Sequence, residues 1–314
     1  MTTEVLKVTR SGDEGVLPAT NTRVLVTEFE YSRPASVEEA CSELAEHGDD
    51  ARLIAGGTDL IVQMKMERLS PARLISLAGV SELRGIAADD GLTIGATTSV
   101  RSVARSAPVL ERYTALAEAC ESFSTVPVMV MATIGGNIRN ASPASDSAPA
   151  LLAFDAVADL VSKSGERAVA LSDLFTGPGK SVIRADELVR SVRLPRCGAE
   201  TGSAFVKVAR VTADISKVAA AVRVVRDGDR ITEARIALGS VAPTPLLAME
   251  AAESLRDKQV DAALLDEAGR IAASESAPIT DVRSTDEYRR RIVATIVRDA
   301  LESAWLRAGG KEIS

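Results

Sequence analysis

The stretch LIAGGTDLIVQMK, residues 53–65, joins a short apolar segment to a segment with helical spacing through two consecutive glycines. Arg52 to Ala55 is predicted to be a buried strand and Leu60 to Leu69 a helix. Glycine permits a positive φ and a close approach by a ligand. Successive backbone N–H groups in such a turn form an anion-binding concavity, and the start of the next helix adds free donors. The stretch therefore predicts a turn able to hold a pyrophosphate. The carboxylate of Asp59 would repel phosphate, so we expect it to cap the helix and to point away from the ligand.

A second pair of glycines lies in ATIGGNIRNASPASDSAPALLAFDA, residues 132–156. It ends an apolar segment, residues 126–134, and polar residues follow closely, among them Asn140, Ser142, Pro143, Ser145 and Asp146. One Gly-Gly pair alone is most often a tight turn, and neither pair matches the dinucleotide fingerprint or the P-loop. Two similar loops in one domain nevertheless favour a shared ligand site over two unrelated turns.

Composition excludes several classes of function. The chain has 314 residues, a net charge of −7 and only 3% aromatic residues, so neither a basic surface nor stacking platforms for nucleic acid are expected. The only histidine, His47, lies in a polar stretch, and Cys41, Cys120 and Cys197 are far apart in sequence. These residues predict neither a histidine-dependent triad nor a metal site on this chain. We therefore expect the chemistry to come from a bound cofactor.

The location of the protein is also predicted from its composition. No run of about 18 uncharged apolar residues is present, so we expect no membrane span. The N-terminus lacks the pattern of a secretory signal. An odd, scattered set of cysteines is typical of buried thiols in a reducing cytoplasm.

The pattern of predicted helices and strands along the sequence indicates an α+β protein with two main parts. Residues 1–22 are predicted to be a loose arm, 23–195 a first domain with subdomains of about 23–80 and 81–195, and 196–314 a second domain. Ser36 and Glu39 predict a capped helix up to His47. Residues 108–123 are expected to form one amphipathic helix, with Leu110, Tyr113, Ala117 and Cys120 on its buried face. In the second domain we expect three antiparallel strands with a hairpin at Asp227-Gly228-Asp229, and helices at residues 246–256, 262–274 and 286–308.

With these motifs in place, the chain resembles the FAD-binding medium subunit of molybdenum hydroxylases, a group that includes the carbon monoxide dehydrogenase medium subunit and the flavin domain of xanthine dehydrogenase. The resemblance covers about residues 27–307. Beyond the two glycine motifs it rests on DELVRSVRLP at 186–195, AFVKVARVTADISKVAAAVRV at 204–224 and DVRSTDEYRRRIVATIVRDAL at 281–301.

The resemblance implies a two-subdomain FAD-binding fold like that of vanillyl-alcohol oxidase and p-cresol methylhydroxylase, followed by a smaller domain with a three-stranded antiparallel sheet and helices. It implies that the pyrophosphate is wrapped by the first motif and that the second motif also contacts FAD. It further implies that Asp146 hydrogen-bonds the cofactor and that Leu188 is an apolar contact of the flavin. Lys207 would lie near the ring, and Phe123 would lie against the isoalloxazine. The residues at these positions are Ala55, Gly56, Gly57, Thr58, Asp59, Phe123, Ala132, Thr133, Ile134, Gly135, Gly136, Asn137, Asp146, Leu188 and Lys207.

Each of these residues also has an ordinary structural interpretation. Phe123 and Leu188 would be core residues, Asp146 would be a helix N-cap, and Lys207 would be a surface lysine on the polar face of a strand.

As function, the resemblance implies an electron-transfer subunit. A large molybdopterin-binding subunit would oxidise the substrate, a small iron–sulfur subunit would relay electrons to FAD on this chain, and NAD, a quinone or O2 would accept them. Relatives often carry Val-Arg and Arg-Arg where this chain has Val128-Met129 and Arg210-Val211, which leaves the acceptor open. Two alternatives stay open as well: a self-sufficient FAD-dependent oxidase or dehydrogenase of the same fold, and a scaffold that has lost FAD.

Overall fold

Three main sheets organise the residues that the computed structural model describes, which are 5–8, 25 and 27–313. The first sheet and its helices are, in chain order, β1 (Val5–Val8), β2 (Phe29–Ser32), α1 (Val37–His47), β3 (Ala51–Ile54), α2 (Leu60–Lys65) and β4 (Arg73–Ser76). The strand order is β1-β2-β4-β3, in which β4 runs parallel to β2 and β3 while β1 runs antiparallel to β2. Strand β1 lies in the segment predicted to be a loose arm, and the rest of residues 1–22 lies outside the described residues.

Helix α1 begins much as the sequence predicts. The Ser36 hydroxyl accepts a hydrogen bond from the Glu39 N–H at 3.1 Å, while the Glu39 carboxylate accepts one from the Ala35 N–H at 2.8 Å. The helix therefore has a serine N-cap. In a standard capping box the glutamate binds the N–H of the N-cap residue itself, whereas here it binds the N–H of the residue before it. Helix α2 ends at Lys65 and not at Leu69, and Glu67 beyond it has a positive φ of 55° that a helix cannot contain.

The second sheet is antiparallel, with the order β5-β6-β11-β7-β8. It contains β5 (Ile86–Ala87), β6 (Leu92–Gly95), β7 (Val157–Ser162), β8 (Gly165–Ala170) and β11 (Leu188–Leu194). A separate two-stranded ribbon is formed by β9 (Phe175–Gly177) and β10 (Lys180–Ser181). The helices of this part are α3 (Val100–Ala104), α4 (Ala107–Arg112), α5 (Thr114–Glu121), α6 (Val126–Met131), α7 (Ile134–Asn140), α8 (Ser147–Ala153) and α9 (Leu171–Leu174).

The single helix predicted over residues 108–123 is wrong, because the chain breaks at Tyr113 into α4 and α5. Tyr113 has φ −128° and ψ 49°, and its ring packs edge-on against Phe154 with centroids 5.1 Å apart. Its hydroxyl donates to the Pro195 carbonyl at 2.9 Å. Leu110, expected on the buried face, is exposed because the break turns α4 away from the core. A tertiary contact of one aromatic ring therefore overrides the helical spacing.

The third sheet contains the three long antiparallel strands that the sequence predicts. They are β12 (Thr201–Val208), β13 (Val218–Asp227) and β14 (Arg230–Gly239), and Gly228 provides the hairpin with φ 61°. Two short strands, β15 (Leu246–Leu247) and β16 (Lys258–Gln259), also pair with β14. The helix predicted over residues 246–256 is reduced to α10 (Met249–Glu253), because its first residues join the sheet. The remaining helices are α11 (Ala262–Glu275) and α12 (Asp286–Arg307).

The buried residues position the candidate site. One large apolar cluster surrounds α5 and α8 and extends to Ala219 and Ala221 of β13, so the second and third sheets share packing. A smaller cluster joins α1 to Leu77 and to Leu188 of β11. No helix among residues 27–313 combines the length and the apolar character that a membrane crossing requires.

Candidate functional site

The first glycine motif forms a tight turn between β3 and α2. Gly57 has φ 70°, a conformation that other residues adopt at a cost, and a side chain there would meet Ile61 and Ile54 at 3.2 and 3.3 Å. The Ile61 N–H donates to the Gly57 carbonyl at 3.0 Å and begins the helix. Gly57 is therefore required by the backbone of the turn.

This turn presents a row of backbone donors. Among the residues that the structure describes, the N–H groups of Gly56, Gly57, Thr58 and Asp59 have no acceptor. Gly56, Gly57 and Thr58 are half-buried and Asp59 is exposed, and amides in such places are normally paired with protein, water or a ligand. An anion with several oxygens, such as a diphosphate, would satisfy them.

Asp59 stands at the N-cap position of α2, but its side chain makes no capping hydrogen bond. The expectation that Asp59 caps the helix is therefore wrong in its chemistry. The side chain is exposed and the residue lines the cavity, where partial desolvation by the surrounding protein raises the pKa of the carboxyl.

The second glycine motif is not a loop but the first turn of α7. Thr133 is the N-cap, and its hydroxyl accepts from the Gly136 N–H at 3.1 Å. The other amides of the turn are also used: Ile134 donates to Thr98, Gly135 to Ala96 and Asn137 to Thr133. The second motif therefore has no free backbone amide from Ile134 to Asn137 to offer a ligand, in contrast to the first motif.

Gly56 packs against the start of the second motif, and Gly135 packs against the segment after β6. A Cβ on Gly56 would lie 1.8 Å from the Met131 carbonyl oxygen, and one on Gly135 would lie 2.6 Å from the Cβ of Ala96. These two glycines permit close packing of backbones. At Gly136, by contrast, a Cβ would meet only the Thr133 hydroxyl and would otherwise enter open space. Gly136 is thus the glycine whose missing side chain leaves room for a ligand.

A cavity of about 510 Å3 lies between the two motifs. This size is within the range of small-molecule and cofactor sites, about 300–1,000 Å3. Twelve of the fifteen predicted residues line it: Ala55, Gly56, Gly57, Thr58, Asp59, Phe123, Ala132, Thr133, Gly135, Gly136, Asn137 and Leu188. Ile134 lies instead in the apolar core, and Asp146 and Lys207 lie outside the lining.

Asp146 and Lys207 form a buried ion pair. The ammonium Nζ of Lys207 donates to Asp146 Oδ2 at 2.7 Å and to the Ser122 carbonyl at 2.8 Å, and the two side chains are each 5% exposed. Burial raises the pKa of Asp146 to about 6, although Lys207 acts to lower it. The surface-lysine interpretation of Lys207 is therefore wrong. Asp146 Oδ1 is buried and has no hydrogen-bond partner among the described residues, and the side chain makes no capping bond to α8.

Asn137 is held by the segment that follows it. Its Oδ1 accepts hydrogen bonds from the hydroxyls of Ser145 and Ser147 at 2.5 and 2.6 Å. These two bonds fix the carboxamide, so that its Nδ2 group is the end left to donate towards the cavity.

Several lining residues were missed by sequence reasoning. They include Arg52, Gln63, Ala96, Thr97, Arg139 and Glu187. Arg52 and Arg139 lie close in sequence to the two motifs, and that position is the signal that could have found them. Glu187 directly precedes Leu188, and that position is its signal. Ala96 and Thr97 come from other elements, and only the fold brings them to the cavity.

The geometry fits a flavin dinucleotide. The amides of the first motif suit its diphosphate, Gly136 leaves space beside them, and Phe123 and Leu188 provide apolar walls. The buried Asp146 Oδ1 is one further acceptor close to the site that lacks a partner in the described protein.

Comparison with known proteins agrees with this fit. A family model described as "FAD binding domain in molybdopterin dehydrogenase" matches residues 27–197, and one described as "CO dehydrogenase flavoprotein C-terminal domain" matches residues 203–304. The carbon monoxide dehydrogenase medium chain of Afipia carboxidovorans is 33% identical over 89% of this chain and 98% of its own. The putative xanthine dehydrogenase FAD-binding subunit XdhB of Escherichia coli K12 is 31% identical over 90% of this chain and 97% of its own.

Solved structures extend the similarity to the fold. A chain of carbon monoxide dehydrogenase from Hydrogenophaga pseudoflava superposes with a TM-score of 0.86 at 33% identity, covering 89% of this chain and 98% of that one. A chain of quinoline 2-oxidoreductase from Pseudomonas putida 86 has a TM-score of 0.83 at 27% identity, with the same coverage. Taken with the cavity between the two glycine motifs, these similarities show that this chain belongs to the FAD-binding subunits of the molybdenum hydroxylase family and is part of an oxidoreductase.

Proposed function

We propose that FAD on this chain receives electrons from a small iron–sulfur subunit and passes them to an external acceptor, while a large molybdopterin-binding subunit oxidises the substrate. The similar chains are named as medium chains or FAD-binding subunits, which supports a role within a larger enzyme. Bound FAD would supply a redox centre that can take electrons singly and release them in pairs. NAD, a quinone and O2 are the acceptors to be tested.

The fifteen predicted residues would divide the work of holding FAD. The amides of Gly56 to Asp59 would donate to the diphosphate, and Thr133 and Asn137 would donate through their side chains. Phe123 and Leu188 would contact ring systems. Ala55, Ala132, Ile134, Gly135 and Gly136 would shape the backbone and leave space for the ligand. Asp146 and Lys207 would act from outside the cavity lining, through their buried pair.

The observation that carries the partner proposal is an exposed apolar helix beside the cavity. Val126, Val130 and Met131 of α6 are each more than half exposed, and Val126 and Val130 are one helical turn apart. The helix ends where the Met131 carbonyl meets Gly56. Apolar side chains grouped at the edge of a cofactor site are typical of a surface that another protein covers.

The lining offers little to a self-sufficient oxidase. Such an enzyme needs an acid or base over the flavin, and the carboxyls lining the cavity are Asp49, Asp59 and Glu187. Glu187 accepts from Arg167 at 2.7 Å and pairs with Arg184 at 3.0 Å, and these contacts hold its pKa below the usual range despite burial. It is therefore engaged in ion pairs. Asp49 and Asp59 are exposed, and Asp59 belongs to the motif assigned to the diphosphate, so neither is a convincing acid or base over the flavin.

The location and the domain limits belong to the same proposal. Cys41, Cys120 and Cys197 are free thiols, and burial raises the pKa of Cys41 and of Cys197 to about 11. Free, unreactive thiols suit a cytoplasmic protein. We place the FAD-binding domain at 23–195 and the C-terminal domain at 196–314.

The test is purification of the tagged chain from its native host, with an inventory of subunits, flavin, iron and molybdenum. The unmodified chain should bring two further subunits with it. Val130→Glu should keep its FAD but lose the partners, because a charge on α6 would be buried in the interface. Leu110→Glu, on the equally exposed Leu110 of α4, is the matched control and should assemble normally. A lone chain that oxidises substrate, or normal assembly of Val130→Glu, would contradict the proposal.

A further inference from the structure

The cavity wall carries two arginines that come from different motifs. Arg52 lies on β3 just before the first motif, and Arg139 lies on α7 just after the second. Arg139 is exposed to solvent at the cavity, while Arg52 is half-buried. Partial desolvation by the surrounding protein lowers the pKa of Arg139, the nearby charge of Arg52 lowers it further, and Glu187 acts to raise it. Bringing two like charges together beside a cavity costs free energy unless an anion occupies the cavity.

Neither arginine is neutralised within the described protein. The guanidinium of Arg139 has no ion pair or hydrogen bond there. Arg52 donates only to the neutral carbonyls of Asp49 and Ala51, at 2.8 and 2.7 Å. The carboxylate of Glu187 is already paired with Arg167 and Arg184. Asp49 and Asp59 also line the cavity, but neither forms an ion pair with a described residue.

The lining of the cavity is not uniform in its chemical character. Leu44, Leu77 and Leu188 belong to the smaller apolar cluster and line the cavity. Phe123, by contrast, packs against the large cluster around α5 and α8. The lining therefore offers an aromatic ring, a group of leucines and two arginines.

The two halves of FAD differ in chemistry, and each matches groups in the cavity lining. Its flavin is uncharged and planar, while its ADP half combines a diphosphate with an apolar, planar adenine. A guanidinium can donate two hydrogen bonds to a phosphate or stack on an aromatic ring. The leucines provide apolar walls for a base, and the arginines provide charge for the phosphate on the adenosine side, which FMN lacks.

We propose that Arg139, with Arg52 behind it, contacts the ADP half of FAD and makes the site selective for FAD over FMN. This inference rests on the proposed assignment of the cavity residues to FAD. It places Phe123 near the flavin and Leu188 near the adenine, in place of the flavin contact that the resemblance implies for Leu188. It also adds a specificity residue that lies outside both glycine pairs.

The experiment compares flavins on the stripped full-length chain. FAD and FMN are titrated separately and followed by quenching of flavin fluorescence, and ADP is tested as a competitor of FAD. Arg139→Met should weaken FAD binding about 10- to 100-fold, the range for losing a hydrogen bond to a charged group. FMN binding should be unchanged, and competition by ADP should weaken in parallel. Arg139→Lys should recover part of the preference because it keeps the charge.

Two controls separate the outcomes. Arg105→Met changes an exposed arginine outside the cavity and should bind both flavins as the unmodified chain does. Thermal unfolding of Arg139→Met checks that the fold is intact. The inference is overturned if Arg139→Met keeps the FAD to FMN ratio or weakens both flavins equally. Suppose instead that the FAD to FMN ratio changes as expected in Arg139→Met but the chain brings no further subunits with it. That result would overturn only the proposed electron-transfer role.

Discussion

At the scale of the residue, the four motif glycines have different physical roles. Gly56 and Gly135 allow backbones to pack closely, Gly57 adopts a positive φ, and Gly136 leaves open space in the cavity. Replacing Gly57 by valine would strip FAD, but mainly through backbone strain and not by filling the space of a phosphate. That substitution would therefore not distinguish a binding role from a structural one.

Gly136→Val separates the two roles. Gly136 lies in a helix without a positive φ, and a Cβ there would lie 2.9 Å from the Thr133 hydroxyl, so the N-cap side chain must shift while the rest of the valine enters the cavity. Thermal unfolding of the variant measures the cost of that shift separately from the loss of FAD. We expect FAD affinity to fall by about tenfold or more, which corresponds to about 1–3 kcal/mol of overpacking. Flavin absorbance per mole of purified chain measures this. Gly198→Val, at an exposed glycine whose Cβ would meet only Thr201 at 3.8 Å, is the control and should keep its FAD. Full FAD content in Gly136→Val would refute the assignment.

At the scale of the element, α12 is anchored by a small polar network at its start. The Thr285 hydroxyl accepts from the Tyr288 N–H at 3.2 Å, and Arg289 reaches back to Asp281 at 2.6 Å and to the Ser240 carbonyl at 2.8 Å. Burial acts to raise the pKa of Asp281, but the hydrogen bonds from the Arg283 N–H and from Arg289 lower it to about 2. The network ties the last helix to the end of β14.

This network predicts a pH dependence of stability. The folded-state pKa of Asp281 lies below its unfolded value of about 3.9, so the ionised group stabilises the fold above pH 4. This contribution is lost as the pH falls from about 4 towards 2. Asp281→Asn should lower the free energy of unfolding by about 1–2 kcal/mol at pH 7, after a discount for the partial exposure of the side chain. Urea unfolding of both proteins should show the gap narrowing below pH 4, and a gap independent of pH would contradict this.

At the scale of the whole molecule, the Lys207–Asp146 pair joins the third sheet to the segment that begins α8. Lys207 also holds the carbonyl of Ser122, the residue before Phe123 in the cavity wall. Among the described residues, the third sheet contributes none to the cavity lining. Its link to the cavity wall is therefore the buried ammonium of Lys207, which bonds to Ser122 and Asp146.

Lys207→Met should destabilise the protein by about 3–5 kcal/mol at pH 8, because it leaves the Asp146 carboxylate buried without a partner. A carboxyl whose folded-state pKa lies above its unfolded value favours the fold at low pH and loses that contribution as the pH rises. The loss should therefore be smaller at pH 5. The double variant Asp146→Asn/Lys207→Met should recover most of the stability. Lys258→Met, at an exposed lysine of the same sheet, should have little effect. Thermal unfolding and flavin content at both pH values test this, and a double variant as unstable as Lys207→Met would argue against the pair.

The sequence by itself determined the local chemistry of this protein. Two glycine pairs, each after an apolar segment, indicated ten residues that do line one cavity, because a motif and its neighbours stay together in any fold. The other two predicted residues that line it, Phe123 and Leu188, were indicated only by the family resemblance. The three long strands of the third sheet and their hairpin followed from alternation and a glycine turn. Only the tertiary structure decided which amides have acceptors, that Tyr113 breaks a helix, and that Lys207 pairs with Asp146. It also decided that Arg52 and Arg139 share a wall. These features depend on contacts between residues far apart in the chain, and neither periodicity nor spacing records such contacts.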